Sequence, residues 1–324
     1  MKVRNENIDS IKGFLIILVV FCHLAEPLLK SNVMLNRLYD FIYIFHMPTF
    51  IFICGYVQKK IPINYQSLVI KIIIPLVVFS LLYEIPEIIL AGTISGYLKS
   101  GAPNWVMWFL VSLLCWRILT PLFLTTRYPI VVSLLVSILV SCMDFNGYAF
   151  SISRTFVFLP FYILGIIIAN NNIKIGRVSL FYLLQSLIAM FFIFYFIPSI
   201  DKGILYGATP FSGLGLSDVD GIKTRIYYYI LSSLTILCSL LIGAKITILS
   251  KIGSASLHVY LWHGLIVKFI LWRYLEYLGG SHEIQIISSL IIAVILSFIL
   301  SNSVIVRINN FIFDNFARLI LTRL

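Results

Sequence analysis

The stretch IDSIKGFLIILVVFCHLAEPLL, residues 8–29, decides the fold. It is an apolar run of bilayer-crossing length, carrying Lys12 near its start and His23 well inside it. The two are eleven positions apart. At about 100° per residue that offset returns to nearly the same helical face, and at a rise of about 1.5 Å per residue it separates them by about 16 Å. Lys12 is thus expected at the membrane edge. His23 is expected past the midpoint of a hydrocarbon layer about 30 Å thick. A face with a cation at its mouth and a titratable ring inside the bilayer points to a reaction path. The run is too long for a cleaved leader, and no small-residue cleavage site follows it, so it reads as a retained helix.

The rest of the chain resembles its first run. Of 324 residues, 60% are hydrophobic and 11% charged, and the mean hydropathy is +1.01. No soluble core requires that much apolar material, so the chain reads as a polytopic membrane protein. Spanning segments are predicted near 11–29, 39–57, 68–90, 105–123, 129–143, 152–170, 178–198, 226–243, 253–274 and 285–306. The expectation is an all-α bundle of about ten transmembrane helices in one domain over 1–306. Residues 307–324 alternate apolar groups with Arg307, Arg318 and Arg323 and read as an amphipathic tail on the membrane surface.

Charge orients this bundle. With ten spans, one side receives fifteen of the 24 Lys and Arg residues but three of the 13 Asp and Glu residues; the other receives nine bases against ten acids. The excess marks the cytoplasmic face, so both termini are expected inside. The net charge of +11 is therefore a topology signal, with no basic domain outside the membrane to hold nucleic acid. The five cysteines lie in or beside apolar runs and include no C-x-x-C pair, which argues against a disulfide framework or a structural zinc site.

Ionisable groups inside spans are costly and usually face a cavity or a partner. His23, His46, Glu84, Glu87, Trp105, Trp108, Arg154 and His263 all fall between the midplane and the outer surface in this topology. The clustering suggests a pocket open to a substrate outside. Each has a plainer reading. His23 serves equally as a helix–helix hydrogen-bond donor. Lys12 also reads as a snorkelling anchor, neutralised by Asp9 one helical turn away. Pro48 bends or frees backbone in span two. Trp105 and Trp108 suit an aromatic belt, and Arg154 an interfacial anchor. His23, His46 and His263 come from three separate spans without an i, i+4 pair or an H-E-x-x-H motif, so no metal is expected.

Five stretches in order resemble the acyltransferase-3 family of integral membrane acyltransferases. Arg4-Asn5 and Ile8-Asp9-Ser10-Ile11-Lys12-Gly13 followed by His23 match its hallmark, a basic residue, ten positions, then His. Phe45-His46-Met47-Pro48 with Gly55-Tyr56, and Trp108-Phe109-Leu110, are similar to its second and fourth spans. Ser153-Arg154-Thr155 through Pro160-Phe161 and Gly165 resembles the branch holding fucose O-acetylases, and Ile252-Gly253 through Ser256-Leu257, Tyr260 and His263 the ninth span. The basic position is Lys12 where Arg is commoner, and Cys54 stands where Ser is frequent. The esterase-like domain fused to some members is not expected here.

The resemblance implies transfer of an acyl group, acetyl by the family's habit, from cytoplasmic acetyl-CoA to a hydroxyl of an extracytoplasmic glycan or lipid-linked sugar. The setting is the bacterial plasma membrane. Acetyl-CoA is a substrate, and no cofactor is permanently bound. His23 and His46 are the implied catalytic residues, His23 as general base or as acyl-carrying nucleophile. His46 would orient His23 or donate to the oxyanion. Lys12, with Asp9 beside it, would contact the coenzyme phosphates. Arg154, Trp108, Tyr260, His263 and Glu84 would contact the acceptor. The competing classes are a transporter or flippase for a glycan precursor, a glycan polymerase and a non-catalytic membrane partner. The first lacks an inverted repeat and the second a large outer loop.

Overall fold

The computed structural model describes residues 5–59, 63–176, 179–198, 200–275 and 281–321, and every regular element among them is helical. Lys2, Arg4, Lys60, Arg177 and Arg323 lie outside the described residues. The long elements are α1 (Glu6–Ala25), α2 (Val33–Gln58), α3 (Tyr65–Leu90), α4 (Trp108–Leu124), α5 (Pro129–Cys142) and α6 (Ile152–Asn170). They continue with α7 (Leu180–Phe196), α8 (Asp218–Lys245), α9 (Ser250–Ser254), α10 (Ser256–Leu275), α11 (His282–Leu300) and α12 (Ser303–Ile320). Seven helices are long and apolar enough to cross a bilayer, or eight with α9 and α10 counted as one bent span. Helices α5 and α7 coincide with the fifth and seventh predicted segments but are shorter, at 14 and 17 residues. Many large apolar side chains face outward, including Phe191 at 63% and Phe196 at 70% exposure, a pattern that suits lipid and would not survive in water.

The ninth predicted segment, 253–274, falls almost wholly on α10, which meets α9 at a bend of 73°. The connection near 199–225 contains the helix Lys202–Tyr206, a 3-10 turn at Ser212–Leu214 and the first turns of α8. Polar residues placed at the head of α8 lower its local hydropathy, so the apolar signal begins later than the helix does. Backbone contacts divide the chain into two compact units. Unit 1 holds 1–53, 173–205 and 228–306; unit 2 holds 54–172, 206–227 and 307–324. The helix of the tail starts at Ser303, and its Phe313 ring meets Phe79 of α3 edge-on at 6.4 Å within unit 2.

In unit 1, α1 is the most enclosed span: 78% of its central window is buried, against 28% for α11. Asn5 caps it, accepting from the Asn7 and Ile8 amides at 3.0 and 3.3 Å, and Glu6 and Asp9 complement the positive end of its dipole. Small residues let its neighbours approach. Gly253 of α9 lies against the Asp9 carbonyl and Gly13 against the Leu249 carbonyl, each so close that a Cβ would collide with backbone. Ser289, Ala293 and Ser297, four residues apart on α11, are fully buried and form the stripe by which it packs on α1. Unit 2 repeats the device: Ser133, Ser137 and Ser141 line the buried face of α5, which packs on α6.

Pro48 sits inside α2 and supplies no N–H for the carbonyl of Ile44, four residues back. The Ser232 hydroxyl of α8 donates to that carbonyl at 2.7 Å. One turn further along, Thr49 and Ser239 share a hydrogen bond of 2.8 Å. The helix therefore keeps its course through a proline because a neighbour completes its bonding. Ser232→Ala is expected to cost about 0.5–2 kcal/mol by stranding the Ile44 carbonyl. In a Pro48→Ala background, where the helix amide is restored, the same change is expected to cost much less. Thermal unfolding of the four variants in detergent reads this coupling; equal costs in both backgrounds would contradict it.

Candidate functional site

Helix α1 ends at Ala25 because Pro27 follows, in a 3-10 turn over Glu26–Leu28. Proline again leaves a carbonyl without its helical donor, and that carbonyl belongs to His23. The indole N–H of Trp272 fills the vacancy, donating to the His23 carbonyl at 2.8 Å. The His23 ring is held separately: its Nδ1 lies 2.7 Å from Glu26 Oε1, one turn along. With a carboxylate accepting, Nδ1 carries the proton, so a neutral ring presents its lone pair at Nε2. Backbone and ring are thus pinned by different residues.

The His263 ring of α10 stacks on His23, centroids 5.4 Å apart and planes tilted by 27°. Tyr260 lies 6.0 Å from His263 on the same helix. His263 is fully buried, and its Nδ1 is 3.1 Å from the Val259 carbonyl. A carbonyl can only accept, so Nδ1 is the protonated nitrogen and Nε2 is an acceptor. That Nε2 is buried without a hydrogen-bond partner. His46 repeats the arrangement, with Nδ1 2.8 Å from the Ile42 carbonyl and its ring edge-on to Tyr43 at 4.4 Å. Two imidazoles from two helices therefore meet in unit 1, and the same unit holds His46 of α2. Among the described residues, no group of three or more His, Cys, Asp or Glu side chains is arranged to hold a metal.

A neutral His46 with its proton committed to Ile42 has no hydrogen at Nε2, so it accepts a hydrogen bond but cannot donate one to an oxyanion. A π turn at Val267–Leu271 separates His263 from Trp272. On an unbroken α-helix the nine-residue offset between them turns about 900°, leaving opposite faces. The wider turn takes up part of that offset, and both side chains meet His23.

Lys12 and Asp9 form an ion pair at 2.7 Å, with Asp9 buried and Lys12 about a quarter exposed. The neutralising reading of this pair is therefore what the geometry contains. In unit 2, the Arg154 guanidinium lies 4.9 Å over the Trp108 ring and 5.1 Å over Tyr148. Trp108 also stacks on Phe158 at 5.6 Å. Glu84 is buried and engaged by the chain itself: it accepts from the Ser95 amide at 2.9 Å, from the Ser95 hydroxyl at 2.5 Å and from Asn104 Nδ2 at 2.8 Å. Of the residues singled out from sequence, His23, His46, His263, Tyr260, Lys12 and Asp9 belong to unit 1, and Arg154, Trp108 and Glu84 to unit 2. Sequence reasoning missed Glu26 and Trp272. An acid at i+3 from an intramembrane histidine was a readable signal for the first; a partner 249 positions away left none for the second.

A chain whose described residues form only helices, seven or eight of them apolar and long enough to span, is a polytopic membrane protein. Its membership can be stated more narrowly. The profile of the acyltransferase-3 family, described as an acyltransferase domain, matches residues 5–304, and the chain belongs to that family of membrane acyltransferases. Comparison with curated proteins and with solved structures returns no match.

Solid-state 15N NMR of histidine-labelled protein in bilayers tests the tautomers. Signals assigned through His46→Ala and His263→Ala are expected to report Nδ1–H rings. Finding the proton on Nε2 in either would overturn the acceptor assignment.

Proposed function

We propose that the protein moves an acyl group, acetyl in the first instance, from cytoplasmic acyl-CoA to a hydroxyl of an extracytoplasmic glycan or lipid-linked sugar. Ten spans, both termini in the cytoplasm and a bacterial plasma-membrane setting complete the reading. The observation that carries it is the pair His23–Glu26, an imidazole clamped at Nδ1 by a carboxylate 2.7 Å away in the most enclosed span.

In this reading His23 is the general base. Nε2 takes the proton of the sugar hydroxyl as its oxygen attacks the thioester carbonyl, and Glu26 stabilises the imidazolium that forms. The tetrahedral intermediate collapses, the C–S bond breaks, and the proton passes from Nε2 to the departing coenzyme A thiolate. Glu26 does not touch substrate and is a positioning residue. His263 and His46, whose Nε2 atoms accept, suit the orientation of a donor hydroxyl. Lys12 is assigned to a coenzyme phosphate, with Asp9 fixing its rotamer. Arg154, Trp108 and Tyr260 remain acceptor contacts. Glu84 supports the loop over residues 95–104.

Purified protein in proteoliposomes tests the roles, read by acyl transfer from radiolabelled acetyl-CoA to membrane glycan. His23→Ala is expected to lower turnover by at least about 10²-fold while the protein still inserts. Glu26→Gln should lower kcat by about tenfold with little change in KM, and Glu26→Asp should restore part of it. The pH profile should move in Glu26→Gln, which a merely structural contact would not cause. Lys12→Ala should raise the KM for acetyl-CoA by about tenfold. Near-wild-type turnover in inserted His23→Ala would sink the mechanism.

A further inference from the structure

Unit 1 contains a pocket of about 240 Å³ where the start of α2 meets the chain leaving α7. Asn36, Arg37 and Asp40 form its polar rim, and Phe41, Ile44 and Ile197 an apolar wall. Helix α2 has 26 residues, about 39 Å at a rise of 1.5 Å per residue, against a hydrocarbon layer of about 30 Å. Its ends therefore reach the level of the lipid headgroups, and Arg37 lies in its second turn. Helix α7 ends beside it, with Tyr195 and Phe196 exposed on its last turn. Aromatic side chains in that position suit the boundary between lipid and water. Phe41 meets the Phe194 ring edge-on at 5.4 Å, so α2 and α7 touch here.

Arg37 is prepared for an anion. Its Nη2 donates to the Phe194 carbonyl at 3.2 Å and to the carbonyl of Tyr195. Both belong to the last turn of α7, and Pro198, four residues after Phe194, has no N–H to offer. The guanidinium also lies 5.6 Å over the Phe194 ring. Its orientation is thus fixed before any ligand arrives. Among the described residues, Nε and Nη1 donate no hydrogen bond and no acid pairs with the group. One edge of a planar fork therefore stays open. The other charges at the rim are already engaged. Lys202 lies 3.3 Å from Asp40 Oδ1 and donates to Asn36. Asp201 accepts from the Gly203 amide at 2.7 Å. Arg37 is the cation presented to a ligand.

A fixed guanidinium with an open edge matches phosphate. Sites that enclose a whole small molecule usually measure about 300–1,000 Å³, so this pocket admits only part of one. A phospholipid fits that description: its headgroup enters, and the first carbons of its chains lie on Phe41, Ile44 and Ile197. We propose that the pocket binds the phosphodiester of a membrane phospholipid through Arg37, and that this lipid bridges α2 and the end of α7. The site is independent of the acyl-transfer reading.

Native mass spectrometry of the full chain in detergent tests it. The probes are dioleoyl phosphatidylglycerol, dioleoylglycerol, which lacks phosphate, and glycerophosphate, which lacks chains. Phosphatidylglycerol should be retained about tenfold better than either of the others. Arg37→Gln should lower that retention by about tenfold and leave dioleoylglycerol unchanged. Lys223→Gln, which removes one exposed charge from unit 2, should change neither. Arg37 also holds the end of α7, so its variant counts only if its melting is unchanged. Val33→Glu decides otherwise. Val33 lines the pocket at 81% exposure, one turn before Arg37, so an acid there is tolerated and takes the open edge of the guanidinium. It should lower retention by about fivefold. The proposal is overturned if the wild type retains dioleoylglycerol or glycerophosphate as well as phosphatidylglycerol. Full retention in folded Arg37→Gln or in Val33→Glu overturns it equally.

Discussion

Inside a bilayer no water completes an unfinished hydrogen bond, so each polar group that a proline frees must find its partner in the chain. This constraint shapes unit 1. Pro48 frees the Ile44 carbonyl and Ser232 takes it; Pro27 frees the His23 carbonyl and Trp272 takes it. The second case has a chemical consequence. The proline that ends α1 obliges another helix to grip the backbone of the histidine, while Glu26, in the same short turn, grips its ring. An imidazole used as a base must be aimed to within a fraction of an ångström. Here the aiming uses bonds the membrane requires in any case.

Close approach is the second ingredient, and it too follows from the solvent. Lipid is as apolar as leucine, so burying leucine drives helices together weakly, and small residues that admit backbone contact do more. The serine rows of α5 and α11 and the glycines at 13 and 253 serve this end. The contact of Gly253 with the Asp9 carbonyl also encloses the first turn of α1, so the Asp9–Lys12 pair sits against a second helix rather than in open solvent.

Much of this was legible in the sequence, in proportion to how local the cause was. Length and hydropathy reveal α1, α2 and α6, since crossing a bilayer demands about twenty apolar residues wherever the chain goes next. The same signal cannot see direction, and the 73° turn between α9 and α10 leaves no mark in it. His23, His263 and His46 stand out as costly groups, but their tautomers depend on carbonyls four residues back, which only a formed helix brings into range. Glu84 looked like a substrate contact by the rule that exposed Arg154 and His23. That rule registers the cost of burying a charge and is silent on who repays it; here Ser95 and Asn104 do.

The Glu26 contact also bears on which way His23 works. If Nε2 carried the acyl group while Nδ1 kept its proton, the ring would be a cationic acylimidazolium. Neutralising it would move the proton onto Glu26 and leave a protonated carboxyl against a neutral acylimidazole. As a general base, the same ring becomes an imidazolium directly paired with the carboxylate, and the charge disappears when the thiolate takes the proton. The ion pair then exists only while the proton is in transit, when it contributes most to stabilising the transition state. The carboxylate at Nδ1 suits the general-base role proposed for His23.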